Sequence, residues 1–247
     1  MNLAGFISRL LAALVLWCGV ASANALIVAT GVDSSRGASL LIREDGADVQ
    51  TYFAGVIFIS VTSGNQVFYR DSLCVDLFTN IYLGQQYDTT LLQPDNLPQK
   101  NLPRASWLVD NAMLPAQNST YLSSLAQSDW VSSSAQGEGI QLAIWDIVHD
   151  GGDGFSAGRV QAAGATDPAV LAWAQRYEAL SLGKSDNQEF VYSNVDLGSG
   201  LPAQMLIGPQ FADAGPQPVP EPQTLMPAGM ALIALSLGLR WRIRKRP

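Results

Sequence analysis

At 247 residues, of which 48% are hydrophobic, the chain is long enough to build one domain of about 200 residues around its own core. Residues 26–220 carry 8 Lys and Arg against 20 Asp and Glu, a net charge of −12, which argues against a nucleic-acid partner. A single histidine, with no serine elbow and no metal-ligating cluster, leaves little from which to build a hydrolase.

Both ends read as processing segments. Residues 1–25 hold one basic residue (Arg9), an apolar run over 10–20 and then Ala23-Asn24-Ala25, the small-x-small pattern of a signal-peptidase site, so the chain is expected to be exported. Trp17 precedes Cys18 where a lipoprotein signal needs a small residue, so Cys18 is expected to leave with the signal. Cys74 then stands alone in an exported protein. It has no partner for an internal disulfide and must be a buried inert thiol, an intermolecular one or a chemically committed one. At the other end, Val219-Pro220-Glu221-Pro222 is followed by an apolar run over 225–239 and by Arg240-Trp241-Arg242-Ile243-Arg244-Lys245-Arg246. The run is 15 residues, short of the ~20 of a spanning helix, and Trp241 and the arginines extend it at the interface. Residues 210–221, with Pro216, Pro218 and Pro220, read as a stiff linker.

Taken in order, the mature region opens with strand signals over 39–42 and 52–61, a turn at Ser63-Gly64-Asn65, and a strand over 67–78 that holds Cys74. Alternation puts Leu73, Val75 and Leu77 on one face of it and Cys74, Asp76 and Phe78 on the other. Residues 87–102, with Pro94, Asn96 and Pro98, read as a loop, and Ala105, Leu108, Val109 and Ala112 predict a helix from Pro103 that Pro115 stops. A helical stretch is expected around Tyr121, Leu122 and Leu125, and a break at Ser132–Ser134 and Gly137. A helix over 139–149, ended by Gly151-Gly152, sets Gln141 on its first turn, with Trp145 and Val148 on the same face and Asp146 and Asp150 toward solvent. Asp150-Gly151-Gly152-Asp153-Gly154 lacks the alternating ligands of a calcium loop and reads as a glycine-rich helix exit. A helix over 168–181 and strands over 189–195 and 204–207 complete an α+β domain, a β-rich part of sandwich or barrel type with an inserted helical part.

Two resemblances follow from these residues. The Pro-Glu-Pro, apolar run and arginine cluster of 219–247 resemble the PEP-CTERM signal, which implies a Gram-negative exporter, processing by exosortase, transient anchoring in the inner membrane and an association with biofilm matrix. Leu73-Cys74, the segment Trp107-Leu108-Val109-Asp110-Asn111 and the segment Gln141-Leu142-Ala143-Ile144-Trp145 resemble the Cys-Gln thioester domains of bacterial surface adhesins, over roughly 55–207. That likeness implies that Cys74 and Gln141 join as an internal thioester between the β-rich and helical parts, which then acylates a protein amine or a polysaccharide hydroxyl. It implies no cofactor, no metal and no turnover enzyme. The setting differs from the adhesins, because the tail is not a sortase motif and no fibrous stalk follows.

Three further residues are candidates for supporting that bond. Trp145 is a candidate shield against water, Asp76 could orient an amine, and His149 could act as a base or transient acyl acceptor, or simply complement the helix dipole. A non-reactive matrix or binding protein with a buried free cysteine is the competing reading.

Overall fold

The computed structural model describes residues 24–99, 101–117 and 122–210. Nearly all of the expected signal segment, the linker beyond Gln210 and the whole sorting tail lie outside them. Among the described residues no helix is long and apolar enough to cross a membrane.

The first strand, β1, runs over Asn24–Glu44, far longer than the expected 39–42. Ala25, Ile27 and Ala29 are buried in its first half and Leu40 and Ile42 in its second. Between them the polar segment Asp33-Ser34-Ser35-Arg36 is a bulge, where the partner strand offers Ile57 to Val32 and Gly55 to Gly37. The bulge breaks the alternation that the sequence reading relied on. β2 (Gln50–Ser63) and β3 (Gln66–Cys74) form the expected hairpin, and β3 ends at Cys74 rather than at Phe78. Gln86–Leu92, expected as loop, is strand β4, with Tyr87 and Thr89 buried. β5 is Val160–Ala162, and β6 (Glu189–Asp196) and β7 (Leu206–Pro209) lie close to their expected places.

Every pairing is antiparallel, in the order β2-β3-β7-β6-β4-β1-β5, and β1 also pairs with β2. Six strands therefore close into a ring, and β5 extends the far end of β1. Closure leaves those six without a long open edge. The architecture is a β-rich antiparallel sheet with a few helices, compatible with the α+β class.

Helix α1 (Leu102–Leu108) continues through a π-helical turn, Val109–Met113, into the short α2 (Leu114–Gln117), so Pro115 does not stop it where expected. Pro115 has no N–H for the Asn111 carbonyl, and Ser123 Oγ donates to that carbonyl instead at 2.6 Å. The Asn111 side-chain oxygen also accepts from Ser124 N and Oγ, at 3.0 and 2.7 Å, so segment 122–126 is held as loop and not as the expected helix. Tyr121 lies outside the described residues.

The longest helix, α3 (Ser134–Asp150), begins earlier than expected because Ser133 caps it by accepting from Gln136 N. Gly151 ends it in the left-handed conformation, φ 86°, as the sequence implied. Residues 136 to 148 are all buried, so α3 is a central helix packed on every side. One side meets α4 (Pro168–Ser181) and another meets β1 and β2. Ile140, Ala143, Ile144 and Ile147 form a core with Leu102, Ala105 and Leu108 of α1 and with Leu73, Val191 and Ile207 of the sheet.

Glycines permit this close approach. A Cβ on Gly137 would lie 1.9 Å from the Arg36 carbonyl oxygen in the β1 bulge, and one on Gly55 would lie 2.4 Å from the same atom. Arg36 is fixed there by Asp33 at 2.7 Å and by Asp71 at 2.5 Å. Gly137→Ala must therefore push α3 off the sheet, and is expected to lower stability in urea unfolding by at least about 2 kcal/mol. Gly164→Ala, with nothing within 4 Å, is expected to stay within about 0.5 kcal/mol of the parent.

Glu189 opens β6 wholly buried, and neither carboxylate oxygen meets a donor among the described residues. Burial, then the nearby Asp110 and Asp186, push its pKa well above the ordinary 4.5, so the folded protein holds it as the neutral acid. A raised folded pKa makes its contribution complete below 4.5 and lost as pH rises toward the folded value. Glu189→Gln is expected to raise the urea midpoint at pH 8 more than at pH 4, and an equal shift at both would contradict this assignment.

Candidate functional site

The site begins with an incomplete ladder. β3 pairs with β2 as far as Ile57↔Ser72, and with β7 at Leu73↔Ile207 and Cys74↔Leu206. Val75 N donates to Met205 O at 3.0 Å, so Val75 bonds toward β7. In an antiparallel ladder successive residues bond to opposite sides, which turns the Cys74 N–H and C=O toward β2. The pairing with β2 has ended by then, and Gly55, the residue that would face Cys74, has φ 140°.

Gln141 takes the vacated position. Its Oε1 accepts from Cys74 N–H at 2.9 Å and its Nε2 donates to Cys74 C=O at 2.6 Å. The carboxamide thus stands in for one peptide group of a missing strand. Gln141 is 0% exposed and Cys74 2%. The structure brings together the two residues that the sequence singled out, 67 positions apart, and it does so through the backbone of one and the side chain of the other. Gln141 is not on the first turn of its helix as expected. With α3 starting at Ser134, it lies mid-helix, so the free N–H groups of the helix start cannot serve it.

The chemistry available here is specific. Cys74 N–H is aimed at the carbonyl oxygen of Gln141, where charge would develop on attack at Cδ, and Cys74 C=O holds the nitrogen that would leave. The Cys74 thiol is free, and burial, then the Asp76 carboxylate, push its pKa strongly upward. It is therefore held as the neutral thiol. Leu73 and Val75 point into the helical core and Cys74, by alternation, faces the other way, as the sequence implied.

The three supporting candidates, Asp76, Trp145 and His149, lie on or beside the strand and helix that carry Cys74 and Gln141. Asp76 lies just beyond the strand, where its carboxylate accepts from Phe78 N at 2.9 Å and from Thr79 Oγ1, so it closes the turn after Cys74. Its main-chain oxygen accepts from Gln204 Nε2 at 2.8 Å. Trp145 is 0% exposed and meets Tyr52 edge-on at 6.2 Å, which makes it a core tryptophan against β2. Its indole N–H meets no acceptor among the described residues. Asp146, expected toward solvent, is wholly buried.

His149 sits in the last turn of α3 with its ring 4.8 Å from that of Phe78. Burial lowers its pKa against the upward pull of Asp76, so the imidazole is neutral, and its Nε2 is buried without a partner among the described residues. The Arg159 guanidinium lies over the Phe78 ring, 4.6 Å from its centre. Phe78 thus bridges His149 and Arg159 beside the turn that follows Cys74. Sequence reasoning missed Phe78 and Arg159, and it missed the glycines at 55 and 137 that open the gap; the Gly55 and Gly137 positions, inside a strand and a helix, were the available signal. Among the described residues one group with metal-ligating spacing exists, Asp146, Asp150 and Asp153, at the C-terminal end of α3.

Comparison of the chain with family models, with curated proteins and with solved structures yields no match in any of the three.

The double hydrogen bond predicts an asymmetry between its partners. Gln141→Ala leaves a buried N–H and a buried C=O unpaired, at about 1–3 kcal/mol each, and should lower stability by roughly 2–5 kcal/mol. Cys74→Ala keeps both main-chain groups and should cost no more than about 1–2 kcal/mol, the loss of one small buried side chain. Urea unfolding of the two variants, each with the other half of the pair intact, checks the order.

Proposed function

We propose that the protein is an exported surface or biofilm-matrix protein in which Cys74 and Gln141 condense into an internal thioester that then bonds covalently to a target. The observation that carries this reading is the Gln141 carboxamide held at both ends by the main chain of Cys74, out of contact with water. In the first step Sγ attacks Cδ of Gln141, the C–N bond breaks, the thiol proton goes to the departing nitrogen, and ammonia leaves. Orientation by two hydrogen bonds supplies much of the reduction in barrier for such a step, and the Cys74 N–H meets the developing oxyanion. In the second step the nitrogen or oxygen of a target attacks Cδ, the C–S bond breaks and the Cys74 thiol is regenerated. Each molecule acts once, so it is not a turnover enzyme.

The target is an extracellular nucleophile, a protein amine or a polysaccharide hydroxyl. Lys100 and Lys184 are the only lysines between 26 and 220, so a reactive acyl group meets few amines of its own chain. The signal-like segment and the PEP-CTERM-like tail support action at the cell surface or in the matrix after exosortase processing, with the apolar run over 225–239 as a transient membrane anchor. The thioester would lie where the β-ring meets the helices, between β3 and α3.

One observation favours a second reading, a non-reactive matrix or binding protein. Burial disfavours the Cys74 thiolate, and a carboxamide that completes the ladder has reason enough to be where it is. Methylamine separates the two. Incubated native protein should acquire a methylamide at Gln141 in peptide maps, with one thiol per chain released at Cys74, and Cys74→Ala should acquire nothing. If Gln141 stays unmodified and untreated protein already yields a full thiol when denatured, the second reading holds.

A further inference from the structure

We propose that the exported chain is cut between Ala23 and Asn24, so that the mature protein begins at Asn24 and not at Leu26. The proposal rests on the export reading above and is independent of the thioester. Signal peptidase selects small residues at the first and third positions before the bond it cuts. Three overlapping triplets meet that rule, Gly19-Val20-Ala21, Ala21-Ser22-Ala23 and Ala23-Asn24-Ala25. The first leaves only one residue between the apolar run over 10–20 and the bond. Local sequence does not choose between the other two.

The fold chooses, because it uses the two residues by which they differ. Asn24 pairs with Thr90 and Ala25 with Thr89, and with Leu26↔Asp88, Ile27↔Tyr87 and Val28↔Gln86 they make the seam between β1 and β4. Without that seam the ring of six strands is open. A cut after Ala25 removes two of its five rungs. β2 does not make up the loss, since its pairing with β1 begins at Leu26↔Thr62.

Ala25 is more than a ladder partner. It is 3% exposed, and in an antiparallel pair its side chain lies on the same face as that of Thr89 directly opposite. Thr89 is buried as well, and its hydroxyl donates to Asn194 Oδ1 at 2.6 Å. Loss of Ala25 removes the cross-strand neighbour of that buried hydrogen bond.

The charge that cleavage creates argues the same way. A cut after Ala25 turns Leu26 N into an ammonium at a residue paired on both sides, with Thr62 of β2 and Asp88 of β4. A charged nitrogen in the middle of a ladder must give up water that an amide there does not hold. A cut after Ala23 puts the ammonium on Asn24, at the outer rung of the seam and beyond the pairing with β2.

N-terminal sequencing of the full chain after export from a Gram-negative host tests the bond. We expect Asn24-Ala25-Leu26 as the first three residues. A first residue of Leu26 would overturn the proposal, and a chain that keeps Met1 would overturn the export reading with it. Ala21→Leu gives a second readout from a position that the folded ring does not use. It spoils the triplet before Asn24 and leaves Ala23-Asn24-Ala25 intact. We expect this variant to accumulate uncut or to be cut after Ala25, and the product that starts at Leu26 to melt at least about 2 °C below the parent. Processing of Ala21→Leu at the same bond and rate as the parent would show that its triplet is not the one read, and would overturn the proposal.

Discussion

The hydrogen-bonded pairing of one side-chain amide with one peptide unit is the constraint on which this structure turns. A strand that loses its neighbour at a buried position must find new partners for a main-chain N–H and C=O, at about 1–3 kcal/mol for each left unpaired. Here the pairing with β2 ends at Ser72, beside the β1 bulge at Arg36, and the partner supplied is Gln141. Much of the surrounding design follows. Gly137 and Gly55 let α3 settle against the bulge, the Asp33–Arg36–Asp71 ion pairs hold the bulge rigid, and α3 is buried along 136 to 148 so that its middle can reach the sheet.

The same constraint sets the chemistry. A carboxamide pinned at oxygen and nitrogen is held in one orientation against the Cys74 main chain, and the N–H that pins its oxygen is the donor that the proposed oxyanion would require. Burial acts in both directions. It would keep water from the proposed acyl–sulfur bond, and it holds the thiol neutral beforehand. The proposed bond formation would therefore depend on orientation and on transfer of the thiol proton to the departing nitrogen more than on a preformed thiolate.

The legible parts of the sequence were those where one physical signal dominated. Helix α4 is bounded by Asp167 and Pro168 and follows a regular apolar period, and the β2–β3 hairpin is marked by Gly64 and β-branched runs. Gly151 announces the end of α3. The start of α3 was hidden because Gly137 and Gly139 look like a break when read alone, whereas each is where a neighbour approaches too closely for a side chain. β1 was hidden by its polar bulge, and β4 because Asp88, Thr89 and Thr90 form a polar run, although Thr89 is buried and donates to Asn194 at 2.6 Å while Asp88 is exposed. Of the site, Cys74 and Gln141 were legible by type and by resemblance. Their mode of contact was not, since nothing in local sequence says that the pairing with β2 ends at Ser72, two residues before Cys74. Asp146 likewise reads as a solvent-facing residue until α4 covers it with Glu178.

The central claim is that this held carboxamide becomes an acyl–sulfur bond. The intact mass of the untreated native protein tests it most directly. The account predicts a mass lower by one ammonia than that of the processed sequence, and no such deficit in Cys74→Ala. A mass equal to the plain sequence, with the deficit absent in both proteins, would contradict it and leave Gln141 as the side chain that completes a strand.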